Sequence, residues 1–164
     1  MQIVGSHQYP TMETVIYGKP AAEALREEAE RLGAKRVYLI ASRTLNTTTD
    51  EIEKIRNGLG DRHAATFDGV PQHTTRDVVT LIARQASEAR ADLVVAIGGG
   101  STVGLGKALS LRTGLPHLAV PTTYAGSEMT PILGETTNGI KTTQHSQDLR
   151  SEERRVGKEC RSRW

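Results

Sequence analysis

Three consecutive glycines and a serine, Gly98-Gly99-Gly100-Ser101, follow the apolar run Leu93-Val94-Val95-Ala96-Ile97 and precede a segment that reads as a helix. A strand that turns through glycine into a helix leaves backbone N–H groups without intrahelical acceptors, and the positive end of the helix dipole adds to them. An anion the size of a phosphate fits such a turn without a cationic side chain. The same glycines also suit a plain tight connection that lets the helix pack closely on a sheet. Three in a row carry more backbone entropy than such a turn requires, which favours the anion cradle. Ser101 has two compatible readings, helix N-cap and phosphate donor.

The named phosphate fingerprints do not fit. The pattern G-x-G-x-x-G starting at Gly98 needs glycine where Val103 stands, and a P-loop ending at Gly106-Lys107 needs glycine and Ser/Thr where Ser101 and Ala108 stand. The five histidines His7, His63, His73, His117 and His145 form no i, i+4 pair and no cluster with carboxylates. Each reads as a surface or packing residue, so no metal site is expected within the chain and no catalytic residue is assigned.

The elements that must position the turn follow from periodicity. Glu13–Tyr17, Arg36–Ala41, Ala64–Phe67, Leu93–Ile97 and Leu118–Val120 read as strands. Between them, Ala22, Leu25, Ala29 and Leu32 step at helical spacing over Lys19–Leu32, and Val79, Ile82, Ala86 and Ala89 do so over about Thr75–Ala91. Thr48 and Glu51 spell a capping box for a helix carrying Ile52, Ile55 and Leu59. A further helix is expected from about Thr102 to Leu111, stopped by Gly114. Residues Thr122–Thr143 lack a clean period and read as loop with a short hairpin near Asn138-Gly139.

Strands alternating with helices predict an α/β fold, a Rossmann-like, mostly parallel sheet with helices on both faces. Ligands of such sheets bind at the carboxyl ends of the strands, where Ser42, the glycine turn and Pro121-Thr122-Thr123 line up.

At 164 residues the chain suits one domain. No apolar run approaches the length of a membrane span, and no secretory signal is visible, so a cytoplasmic location and no membrane partner are expected. The formal charge is +2, but Arg150–Trp164 alone holds six basic and three acidic residues, leaving −1 for the rest. A basic patch for nucleic acid is therefore not expected in the folded part.

The stretch DLVVAIGGGSTVGLGKAL followed by LRTGLPHLAVPTTYAGSEMTPILGETTNGIKTT resembles the maleylacetate reductase branch of the iron-containing alcohol dehydrogenase superfamily, from about Glu13 to Thr143. The resemblance implies a dinucleotide-binding domain over residues 1–149, with NAD(P)H as cofactor, joined in the full protein to an all-helical C-terminal domain. It places the pyrophosphate at Gly98, Gly99, Gly100 and Ser101, the adenine and ribose side along Thr122 and Thr123 with Ser127 nearby, and Lys141 at the nicotinamide ribose. The broader alcohol dehydrogenases carry an aspartate where Gly104 stands, which favours the maleylacetate reductase branch. Where they often hold an acidic residue for the adenine ribose, this chain has Ser42 and Arg43, so NADP is expected beside NAD.

The implied reaction is hydride transfer to maleylacetate, giving 3-oxoadipate in aromatic compound breakdown, with a small dicarboxylate as substrate and a homodimer as the full-length assembly. Any metal ion belongs to the C-terminal domain. The alternatives are a nucleotide-binding fragment without activity and a sister alcohol or glycerol dehydrogenase. Residues 150–164, RSEERRVGKECRSRW, hold the sole Cys160 and Trp164 and read as an in-frame translation of a common sequencing adapter. They are expected to be non-native, and the chain a truncated, inactive piece of the enzyme.

Overall fold

A computed structural model describes residues 14–130, 132–137, 140–145 and 153–156. The irregular start expected for residues 1–12 lies outside them. Six strands form one sheet: β1 (Thr14–Tyr17), β2 (Val37–Ala41), β3 (His63–Phe67), β4 (Leu93–Gly98), β5 (His117–Pro121) and, near the end of the chain, Glu153–Val156. All pairings in it are parallel. Helices α1 (Ala21–Arg31), α2 (Arg43–Thr48), α3 (Glu51–Leu59), α4 (Arg76–Glu88) and α5 (Gly100–Thr113) connect the first five strands. Strands β6 (Ile132–Thr137) and β7 (Ile140–His145) form a separate antiparallel hairpin, and Glu153–Val156 is β8.

Period-two alternation splits the strand residues between two cores. Val37, Leu39, Leu93, Val95, Ile97 and Val120 pack with Leu25, Ala29, Ile52, Ile55 and Leu59 of α1 and α3. Tyr38, Ile40, Val94 and Ala96 pack on the other face with Val79 and Ile82 of α4 and Leu105 and Leu109 of α5. Because β2 and β4 are buried on both faces they need continuous apolar runs, which their sequences supply. Full burial of each such Leu or Ile contributes roughly 1.5–3 kcal/mol.

The sheet order is β1-β8-β5-β4-β2-β3. From β2 the chain moves outward to β3, then returns to lay β4 on the other side of β2 and continues to β5. The connections leaving β2 and β4 therefore diverge, and a crevice opens at their carboxyl ends. The opposite edge is tied shut there: the Asp92 carboxylate accepts from the Lys35 and Arg36 backbone N–H groups at 2.8 and 2.9 Å.

Several local expectations change. Helix α3 starts after Asp50, with the Thr49 hydroxyl rather than Thr48 accepting from the Glu51 N–H at 3.4 Å, so the expected capping box does not form. The extra helix α2 precedes it, capped by Ser42 and buttressed by Thr47, Thr48 and Thr49 hydroxyls that bond carbonyls four residues back. Helix α5 begins two residues earlier than expected, at Gly100. Most of the expected loop after Thr130 is hairpin, because Thr136 pairs with Thr75 and its N–H donates to the Thr74 carbonyl at 2.8 Å. Its connecting residues Asn138 and Gly139 lie outside the described residues. Among the described residues no helix is long and apolar enough to cross a membrane.

Candidate functional site: an open helix mouth at the sheet's carboxyl edge

Strand β4 ends at Gly98, whose φ of 155° is one that L side chains rarely adopt. A Cβ there would stand 2.5 Å from Thr102 Oγ1 and 3.2 Å from Ser42 Cβ. At Gly99 it would meet Thr123 at 3.4 Å, and at Gly100 it would meet Ala125 at 3.1 Å. The turn is thus wedged between the end of β2 and the segment after β5. Backbone bonds fix that arrangement: Ser42 N–H donates to the Ile97 carbonyl and Thr122 N–H to the Gly98 carbonyl, both at 3.0 Å. Residues that sequence spacing scatters over 80 positions meet around one turn because three parallel strands end there.

The first intrahelical bond at the mouth of α5 runs from Val103 N–H to the Gly99 carbonyl at 3.0 Å. The N–H groups ahead of Val103 have no intrahelical acceptor. Gly99 is the N-cap and supplies no side-chain cap, which corrects the N-cap role expected of Ser101. The Ser101 hydroxyl instead donates to the Gln72 carbonyl at 2.9 Å, anchoring the loop before α4. No acidic residue stands in the first turn, so nothing on the helix offsets its positive end.

Beside the mouth lies a cleft of about 360 Å³ lined by His73, Gly100, Ser101, Gly104, Ser127 and Thr136, among others, with no acidic residue among the described residues of its wall. Ser127 begins the turn Ser127–Met129 that walls it. Lys141 sits on β7 opposite the cleft residue Thr136. Ser42 is the side-chain cap of α2, accepting from the Leu45 N–H at 3.4 Å, and Arg43 is exposed beside it. The structure thus gathers Ser42, Gly98, Gly99, Gly100, Ser101, Thr122, Thr123 and Ser127 along one edge.

Geometry and sequence converge with what known proteins show. The family model for iron-containing alcohol dehydrogenase matches residues 12–152. The chain belongs to the iron-containing alcohol dehydrogenase family. Maleylacetate reductase 1 of Rhodococcus opacus is 47% identical over 130 residues, covering 79% of this chain and 36% of that protein. Maleylacetate reductase 2 of Cupriavidus pinatubonensis is 43% identical over 138 residues, covering 84% and 37%. The crystal structure of maleylacetate reductase from Agrobacterium tumefaciens superposes with a TM-score of 0.83 at 35% identity, covering 96% of this chain and 43% of that one. The chain spans little more than a third of the length of these curated relatives.

The family's name implies iron, yet among the described residues no three His, Cys, Asp or Glu side chains converge on a point. The described residues do not fit an iron ion. They do fit a dinucleotide's phosphates, through the open N–H groups and the side-chain-free glycine cradle. Two parts of this iron-containing alcohol dehydrogenase site escaped sequence reasoning. His73 and Gln72 reach the cleft only through the β6 hairpin and the Ser101 bond, and no local pattern marks them. Lys107 is 1% exposed beneath the Ser127 turn, where its charge gives the sequence a solvated look.

Proposed function

We propose that the chain is the dinucleotide-binding part of an NAD(P)H-dependent reductase that converts maleylacetate to 3-oxoadipate. The observation that carries this reading is the uncapped mouth of α5, seated between Ser42 and Thr123 at the divergence of β2 and β4. When bound, the nicotinamide supplies a hydride to an activated carbon–carbon double bond, and the protein supplies orientation and charge. The α5 mouth would hold the pyrophosphate, Thr122 and Thr123 the adenosine side, and Lys141 the nicotinamide ribose. The substrate is a dianion, and a cleft wall without carboxylates among the described residues, with Gly104 in it, suits one. The exposed Arg43 at the end of β2 pairs a 2′-phosphate, so NADPH is expected to bind with an affinity less than about a hundredfold below that of NADH. A homodimer of the full-length enzyme is part of the same reading.

Coverage of about a third of the relatives favours a second element of the proposal: this chain binds the cofactor without turning it over. Residues 150–164 are read as non-native. Strand β8 supports this, because Glu153, Arg154 and Arg155 stand between β1 and β5 in a sheet whose other interior strands are apolar. Mixing the chain with NADH and maleylacetate tests both elements. Saturable NADH binding with no loss of the reduced nicotinamide absorbance is expected. Sustained turnover would refute the non-catalytic reading, and absence of NADH binding would refute the site. Sequencing the gene past the codon for Leu149 decides the origin of the tail.

A further inference from the structure

Gly100, Gly104 and Lys107 fall at steps of four and three along α5, on one stripe of the helix. The first two line the cleft and leave it open. The third lies one turn further along, under the Ser127 turn. Lys107 is 1% exposed, and its Nζ donates to the carbonyls of Ser127 and of Thr130, the latter at 2.6 Å. These carbonyls bracket the Ser127–Met129 turn, whose entry residue Gly126 is left-handed with φ of 71°. Glu128 of that turn is 5% exposed and attracts the same ammonium. His117 of β5 is buried close enough to feel the Lys107 charge.

A buried ammonium is costly to desolvate, and an apolar side chain of similar volume packs the same space at less cost. What the ammonium adds is several directed donors. Here they hold two carbonyls of one turn at a fixed distance from the helix that carries the cradle. We propose that Lys107 is the positioning residue of the dinucleotide cleft, fastening the Ser127–Met129 wall to helix α5 from inside the fold. This rests on the dinucleotide reading above. Burial pulls the Lys107 ammonium down to about 8, with Glu128 opposing the shift. The clamp therefore loosens as pH rises through that value, leaving Glu128 buried opposite a neutral amine. His117, held neutral by burial, does not titrate in that range.

The test compares the 164-residue chain with Lys107→Met by NADH fluorescence titration and by amide hydrogen exchange in the absence of NADH. In the variant, the Met129 and Thr130 amides should exchange at least about tenfold faster, while the Val94 and Ala96 amides of β4 keep their rates. NADH affinity should fall about tenfold or more. In the parent chain NADH affinity should decline between pH 7 and 9.5, roughly around the value near 8, and the variant should show no such decline. If Lys107→Met does not fold, Glu128→Gln and the pH series on the parent chain carry the same comparison. Exchange rates at Met129 and Thr130 within about twofold of the parent would overturn the proposal, as would a flat pH profile for NADH in the parent. A parent chain that shows faster turn exchange on substitution yet binds no NADH would instead overturn the dinucleotide reading and leave the fastening role standing.

Discussion

Helices α2 and α5 both follow the end of an interior parallel strand, β2 and its neighbour β4, and their mouths are finished in opposite ways. At α2 the Ser42 hydroxyl accepts from the Leu45 N–H, and the helix buries none of its six residues. At α5 the cap is Gly99, no side chain bonds the first turn, and eight of its residues are buried. Thr75 closes the mouth of α4 as Ser42 closes that of α2. A helix with so much burial does not need a cap for stability, and its exposed N–H groups are left for a ligand. The weakly packed α2 needs its cap, and what its start can offer an anion is the Arg43 side chain rather than open N–H groups. Helices α1 and α3 also lack a side-chain cap bond at Pro20 and Asp50, but they carry Glu23, and Glu51 with Glu53, in their first turns, so of the five described helices α5 is the one with neither a cap nor a first-turn carboxylate.

The comparison breaks most sharply at Gly98. Gly98→Val forces a side chain against Thr102 at a φ of 155°, so stability should fall by roughly 2–4 kcal/mol and NADH affinity by more than about a hundredfold. Urea melts and a fluorescence titration read both. Next comes the seat of α5 on the sheet. A Cβ at Gly106 would stand 2.5 Å from His117 Nε2 and 2.7 Å from Ala96 Cβ, so Gly106→Ala should cost about 1–3 kcal/mol by lifting the helix.

His117 beneath that contact sets an acid limit. Burial, with the nearby Lys107 charge, pulls its pKa from 6.5 to about 3. The unfolded chain takes up a proton that the folded chain refuses, so this contribution is whole above pH 6.5 and is lost as pH falls towards 3. Urea midpoints should therefore drop more steeply over that window in the parent than in His117→Gln. The smallest effect belongs to the closed mouth: Ser42→Ala should cost less than about 1 kcal/mol, because the cap bond is long and α2 carries little packing.

Strands β2 and β4 were legible because burial on both faces leaves an unbroken apolar run, and α1, α3 and α4 because one face of each is apolar. The glycine turn was legible for the same reason that it functions: a close approach that, at Gly98, no side chain survives. Other parts were written in tertiary contacts. Helix α2 has no apolar period, and only the Ser42 cap and threonine hydroxyls reveal it. The start of α5 hid behind Gly100, a poor helix former, since packing rather than propensity sets it. The hairpin expected near Asn138-Gly139 is there, but its arms carry Gly134 and four threonines, so their length shows itself only in the β6–β7 pairing and the docking on Thr74 and Thr75. Lys107 and Ser127 are twenty residues apart, and a buried cation resembles a solvated one until its carbonyl partners are seen.

If the mouth of α5 is open for an anion, a carboxylate placed at its N-cap closes it. Gly99 is extended, with φ of −78° and ψ of −170°, a conformation that suits an N-cap aspartate. NADH titration of the parent chain and of Gly99→Asp, each paired with a thermal melt, is the decisive measurement. Gly99→Asp should gain about 0.5–1 kcal/mol of stability while its NADH affinity falls by about tenfold or more. An unchanged NADH affinity in a folded, capped variant would contradict it.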